Sequence, residues 1–212
     1  MYRFDIINLL IQNHGYTRYL EIGVEDGDAV HSVRCGLKHG VDPASRQATF
    51  QIPSDEFFAL IRPDVKYDCI FVDGMHEEEQ VLRDIHNALE HLSEGGTIVV
   101  HDVNPPTAWH QRDYDVAKLN GCRLWNGTVW RSWVRLRATR TDLQMFVVDT
   151  DWGCGVIQRG SQNRIVLPEA FSYSDFERSR AVWLNLVSPA DFLASLRSPT
   201  PALQRLGAAP AP

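Results

Sequence analysis

The feature that most constrains this chain is an alternation. Apolar runs of strand type ("TRYLEIGV", "HGVDP", "YDCIFVD", "TIVVHD") are separated by helical patterns at short spacings, and the first enters a glycine turn while the others end at an acid. Parallel strands need a crossover between them, and a helix supplies it while covering one face of the sheet. The alternation therefore predicts an α/β fold with a mostly parallel sheet and helices on both faces. With 212 residues the chain can bury a sizeable core, and we expect a single domain over residues 1–200.

The helical patterns are specific. Residues 3–13 read as an amphipathic helix that Gly15 stops. "HSVRCGL" reads as part of a second helix, and "SDEFFALI" as a short one with Ser54 or Asp55 as its cap. In "EEEQVLRDIHNALEHL", Val81, Leu82, Ile85, Ala88, Leu89 and Leu92 share one face, with acids in the first turn where the helix dipole favours them. Beyond residue 103 the rhythm changes. Residues 104–140 are long and turn-rich, with "VWRSWVRLR" helical at their end. "DLQMFVVDTDWGCGVIQRG" then reads as two strands around a tight turn, a hairpin closing the sheet. Two helices follow near 174–187 and 189–197, and the Pro/Ala tail, residues 201–212, is expected to be disordered.

Charge and cysteines exclude several classes. A net charge of −6 argues against general nucleic-acid binding, which rests on a basic surface. Cys35, Cys69, Cys122 and Cys154 form no CxxC pair, so neither a disulfide framework nor a zinc site is expected. The N-terminus carries Asp5 and Asn8 among its apolar residues and has neither signal-peptide nor membrane-span character. These features together suit a cytoplasmic protein with no membrane partner. The 18 Arg against 3 Lys point to a GC-rich genome.

Two places suggest a site. In "YLEIGVEDGDAV", Glu21, Gly23 and Gly27 follow a strand in an E-x-G-x-x-x-G arrangement, where glycines let the backbone turn and approach a ligand. The dinucleotide spacing G-x-G-x-x-G is absent because Glu25 occupies the middle position, which counts against NAD and FAD. Nineteen residues beyond Gly23, Asp42 ends the second strand, where an acid either holds ribose hydroxyls or forms a turn before Pro43. The second place is the pair of strand exits that carry Asp73 and His76, and His101 and Asp102.

The matching pieces "YLEIGVEDGD", "GVDP", "SDEFFALI", "YDCIFVDGMHEEEQVLRDIHNAL", "EGGTIVVHDVNPP", "WNGTVW" and "DTDWGCGVI" span about residues 18–157. In this order they resemble the class I S-adenosylmethionine-dependent methyltransferases, in particular the small bacterial "methyltransferase domain 24" type. The resemblance implies a Rossmann-like, seven-stranded sheet whose last hairpin inserts an antiparallel strand. It implies that Glu21, Ile22, Gly23 and Gly27 surround the methionine end of S-adenosyl-L-methionine, that Asp42 holds the ribose, and that Ser54 and Asp55 lie near adenine. Asp73 then faces the cofactor. Ala29 departs from the pattern, since relatives often carry a hydroxyl there.

In such a sheet the strands ending at Asp73 and Asp102 are neighbours, so Asp73, His101 and Asp102 meet at the rim of the crevice. Carboxylates with an imidazole could hold Mg²⁺ or another divalent cation. An alcohol is a poor nucleophile until its proton leaves, which a cation or a nearby imidazole assists. Metal-dependent catechol-type O-methyltransferases are similar, with a basic Lys three residues after the acid ligand. His76 stands at that place, and the resemblance makes it the general base. The plainer readings are a helix cap or cofactor-facing acid for Asp73, a loop hydrogen bond for His101, a turn cap for Asp102 and a solvent-facing position for His76.

Five of the six tryptophans fall within residues 109–152, beside several arginines. Trp109, His110, Trp125 and Trp130 are the expected acceptor contacts. Aromatic faces with polar neighbours suit a saccharide, and sugar-like acceptors are common among actinobacterial relatives. The competing account of these residues is core packing and a subunit interface, because a homodimer or larger homo-oligomer is also expected. Metal-assisted O-methylation of a sugar hydroxyl is therefore the expected activity. A metal-independent methyltransferase, a regulatory cofactor-binding domain and an NAD-linked oxidoreductase are the alternatives.

Overall fold

The computed structural model describes residues 1–119 and 124–197. Cys122 and the tail at 201–212, expected to be disordered, lie outside the described residues. Seven strands form one sheet: β1 (Arg18–Ile22), β2 (Leu37–Val41), β3 (Tyr67–Val72), β4 (Leu92–Val100), β5 (Leu143–Val148), β6 (Cys154–Arg159) and β7 (Leu186–Val187). Their order across the sheet is β2-β1-β3-β4-β6-β5-β7. Only β6 runs antiparallel, against β4 on one side and β5 on the other. This is the mostly parallel sheet expected from the alternation and the Rossmann-like, seven-stranded form that the resemblance implied, with the hairpin where "DTDWG" put it.

The central strands read as continuous apolar runs because both faces are covered. Leu20, Ile70, Ile98 and Ile157 pack on one face with α4 (Glu78–Glu90), α6 (Val129–Thr139) and α7 (Tyr173–Leu184). Tyr19, Phe71, Val99 and Val156 pack on the other with α1 (Arg3–His14), α2 (Asp28–Ser32) and α8 (Pro189–Arg197). In α4 the 3.6-residue pattern holds: Val81, Ile85, Ala88 and Leu89 are buried, while Leu92 already starts β4. Among the described residues no helix is long and apolar enough to cross a membrane.

Two local expectations are corrected. The second helix does not continue through "HSVRCGL"; it stops at Ser32, with Val33 extended. Asn8 of α1 causes this, accepting from Arg34 N at 2.7 Å and donating to Ser32 O at 3.0 Å. Neither Ser54 nor Asp55 caps α3 (Ser54–Leu60); Pro53 precedes it, and the Ser54 hydroxyl donates to Asp84 instead. Residues 104–140 end in the helix that "VWRSWVRLR" predicted. They hold α5 (Tyr114–Leu119) and α6, and α6 is core: Trp130 and Trp133 are fully buried against the sheet and α7.

Candidate active site

β1 and β3 are adjacent and parallel, and so are β3 and β4, so their carboxyl ends open on one side of the sheet. There a cleft of about 780 Å³ is lined by Glu21, Ile22, Gly23, Asp42, Ser54 and Asp73 at the expected cofactor positions. It is also lined by His76, His101, Asp102 and Trp125. That volume suits a small-molecule ligand. Among the described lining residues many are carboxylates, and Arg3 is the sole Arg or Lys. Such a cleft favours a ligand carrying positive charge over a dinucleotide pyrophosphate.

Gly23 lets two strand exits cross. It sits at φ +85, and a Cβ there would lie 2.2 Å from Asp73 O, so any other residue would push the β1 and β3 tips apart. Gly27 opens α2 just outside the cleft lining. Asp42 lines the cleft and is also bound by backbone on both sides. One carboxylate oxygen accepts from Val24 N and Glu25 N, both at 3.0 Å, and the other from Ala44 N (2.8 Å) and Ser45 N (2.9 Å). Burial works against its charge, but these backbone donors hold the carboxyl below its ordinary value. These four bonds make Asp42 an organiser of the loops around the cleft, the turn-forming role that was the alternative reading of the residue.

At the rim the acids and imidazoles converge. His76 lies between the two carboxylates, with Nε2 3.3 Å from Asp73 Oδ1 and Nδ1 3.2 Å from Asp102 Oδ2. Its ring stacks on Trp125 at 4.9 Å. Burial opposes its charge, yet Asp102 and Asp73 outweigh that and raise its pKa above the ordinary imidazole value. The same histidines hold Asp73 well below the usual carboxylate range in spite of burial. Glu21, buried and accepting from the Tyr19 hydroxyl at 2.6 Å, is pushed up to about 7 by desolvation.

Behind His76 runs the segment 126–128, which orients it. Thr128 N donates to His76 O at 2.7 Å, and Asn126 Nδ2 donates to Asp102 Oδ1 at 2.7 Å. Gly127, at φ +59, passes so close that a Cβ would lie 2.1 Å from His76 O. The carbonyl of His110 in turn accepts from Asn126 N and Gly127 N. Asp102 itself adopts φ +59, a conformation costly for a non-glycine residue, which the bond to Asn126 helps hold.

The expected acceptor contacts divide. Trp125 lines the cleft, and Trp152 lines it too. His110 lies outside the lining, its ring 5.4 Å from Trp152, and acts through its backbone. Trp109 is 53% exposed outside the cleft, with the Arg112 guanidinium over its ring. Trp130 is corrected outright: it packs within the core against Phe171, Tyr173 and Phe176 and reaches no ligand surface. Two site residues went unforeseen. Asp151, at the hairpin tip, accepts through its backbone carbonyl from His101 Nε2 at 2.8 Å. Arg3 lines the cleft and pairs with Asp151 Oδ2 at 3.2 Å.

A magnesium ion fits this donor set poorly. Asp73 Oδ1 faces His76 and His101, and Asp73 Oδ2 faces Arg3 Nε at 3.8 Å. Asp102 Oδ1 faces Asn126, and its Oδ2 faces both histidines. Asp73, His76 and Asp102 do bring their ligand atoms within 4.8 Å of one another. The set is nevertheless mixed nitrogen and oxygen, whereas Mg²⁺ requires oxygen octahedra. His101, expected as a ligand, has both ring nitrogens engaged with acceptors.

Residues 24–103 match the family model described as a methyltransferase domain. No curated protein matches the chain. Among solved structures, the S-adenosylhomocysteine-bound methyltransferase of Podospora anserina is 17% identical, with TM-score 0.54 over 75% of this chain and 78% of that one. The O-methyltransferase of Streptomyces achromogenes involved in tomaymycin synthesis, in complex with S-adenosylmethionine, is 18% identical, with TM-score 0.54 over 74% and 79%. An O-methyltransferase from Bacillus cereus, in complex with S-adenosylhomocysteine, is 16% identical, with TM-score 0.51 over 73% and 79%. The chain thus shares its fold with these methyltransferases, and the matched domain runs from Val24 in the first strand–helix turn through Val103.

Proposed function

We propose that the chain is an S-adenosylmethionine-dependent O-methyltransferase in which His76 takes the proton from the acceptor hydroxyl. One observation carries this reading: His76 is wedged between Asp73 and Asp102 in an acidic cleft at the carboxyl ends of β1, β3 and β4. The cleft residues suit the cofactor. Glu21, Gly23, Ser54, Asp55 and Asp84 all line the cleft. When bound, S-adenosylmethionine supplies an activated methyl on a sulfonium, a positive charge that carboxylates attract. The chain's task is then alignment and proton removal.

The Asp102 carboxylate lies 3.2 Å from Nδ1 without a hydrogen bond to it, and its charge favours the proton on that nitrogen, leaving Nε2 to receive the acceptor's proton. Once protonated, that nitrogen faces Asp73 Oδ1 and is stabilised there. Trp125 stacks against the ring and limits its rotation. A saccharide is the acceptor class carried forward, because Trp125 and Trp152 offer flat apolar faces beside carboxylates that hydrogen-bond hydroxyls. Magnesium is not carried forward, since the carboxylates already face cationic or N–H groups of this chain and the other nearby donors are nitrogens.

Calorimetry with S-adenosylhomocysteine, followed by methyl transfer from labelled cofactor to a panel of saccharides and catechols, tests the reading. His76→Gln should bind S-adenosylhomocysteine within a few-fold of wild type and lose roughly 10²–10⁴-fold in turnover. Normal turnover in that variant would remove His76 as the base.

A further inference from the structure

The cage around His76 contains its own counter-charge, supplied partly by a residue from the start of the chain. Arg3 reaches in from α1: its backbone N donates to Asp151 Oδ2 at 2.8 Å, Nη1 pairs with the same oxygen at 3.2 Å, and Nε lies 3.8 Å from Asp73 Oδ2. His101 lies beside it. Its Nδ1 is 3.2 Å from Asp73 Oδ1 and 3.5 Å from Asp102 Oδ2, and its Nε2 faces the Asp151 carbonyl, which can only accept. Both ring nitrogens therefore donate, and the ring is a cation. Arg3 Nη1 lies 3.4 Å from His101 Nε2, and the Asp151 carboxylate between them (3.2 Å and 3.6 Å) lets the two cations sit together.

We propose that Arg3 and His101 occupy the electrostatic place of a divalent cation in this site, so that methyl transfer by this chain needs no metal. The inference rests on the methyltransferase reading above. The charges support it. Asp73, Asp102 and Asp151 bring three negative charges; Arg3, His101 and the sulfonium of a bound cofactor bring three positive ones. In the transfer, the acceptor O–H bond breaks and its proton goes to His76 Nε2. An O–CH₃ bond forms as the S–CH₃ bond breaks, and the sulfonium becomes a neutral thioether. Positive charge passes from sulfur to His76, and the cage remains balanced throughout. A divalent cation would add two uncompensated charges beside Arg3, or force Arg3 out of a partly buried pair.

The other candidate metal group, His101, Asp151 and Cys154, is no better. The Cys154 thiol is pushed up to about 12 by burial, and His101 has no lone pair to offer.

The test uses full-length protein passed through a chelator. Calorimetry with S-adenosylhomocysteine comes first, and absence of binding would overturn the methyltransferase reading and the inference with it. With that binding in hand, Mn²⁺ and Mg²⁺ are titrated into wild type and Arg3→Gln with S-adenosylhomocysteine present. Wild type should give no saturable metal heat and full turnover in chelator. Arg3→Gln should lose about tenfold or more in turnover while binding S-adenosylhomocysteine as before. Arg3→Lys, which keeps the charge and the backbone bond to Asp151, should recover most of that loss. One metal site in wild type that Asp73→Asn abolishes, or unchanged turnover in Arg3→Gln, would overturn the inference and leave the methyltransferase reading standing.

Discussion

Replacing Gly127 with alanine should damage the site more than the fold alone explains. Alanine at φ +59 costs about 1–2 kcal/mol, the ordinary penalty of a left-handed conformation. The added Cβ would also lie 2.1 Å from His76 O and 2.6 Å from His76 Cβ. Relief requires the two segments to separate by roughly 1 Å, an overpacking cost of about 1–3 kcal/mol. The sum is about 2–5 kcal/mol, read as a fall of roughly 10 °C in Tm for a chain of this size. The same displacement moves His76, and a misplacement of about 1 Å near the chemistry is worth on the order of 10²-fold in rate. Gly15→Ala is the control. Gly15 has φ +69 but nothing within 4 Å of a Cβ, so it should cost only the conformational penalty and leave turnover intact. Urea denaturation and initial rates on both variants decide the matter. Equal stability losses, with wild-type turnover in Gly127→Ala, would refute the idea that residues 126–128 brace His76.

Two further outcomes follow from burial. Glu21 has a folded pKa of about 7 against 4.5 for a free side chain, so below about 4.5 its contribution to stability is fully present. Between about 4.5 and 7 the unfolded chain releases the proton while the folded one keeps it, and stability falls as pH rises, by about 3 kcal/mol in all. Glu21→Gln should flatten that limb in denaturation curves at pH 5 and pH 8. Trp130→Ala should cost about 3–5 kcal/mol without altering acceptor KM in the folded fraction, whereas Trp125→Ala should be mild in denaturation and raise KM; the reverse pattern would return Trp130 to the acceptor site.

The sheet was legible because its central strands are apolar on both faces and alternate with helical patterns. The resemblance, not the pattern, set Asp73, His101 and Asp102 at neighbouring tips, and the structure brings them together there. What stayed hidden depends on contacts far apart in sequence. Arg3 sits in a helix whose apolar spacing explains its neighbours and says nothing of its own target, 148 residues away. Asp151 read as an ordinary hairpin turn, although a hairpin closing a parallel sheet must turn at the end where the site lies. Trp130 and Trp125 flank the same short motif, and no spacing distinguishes the core ring from the cleft ring. Asp42 is subtler still: its position fits a ribose ligand, but Ala44 and Ser45 fold back onto it.

The antiparallel course of β6 has a consequence for how such a site diversifies. Since β6 returns between β4 and β5, the turn at 149–153 hangs over the same rim as the parallel strand tips. It is tied there by Val103 N to Gly153 O and Asn104 N to Trp152 O. Lengthening or recolouring those five residues would redraw one wall of the mouth and leave every ladder bond of the sheet in register. Substrate choice can thus drift at Trp152 while the floor beneath it stays fixed.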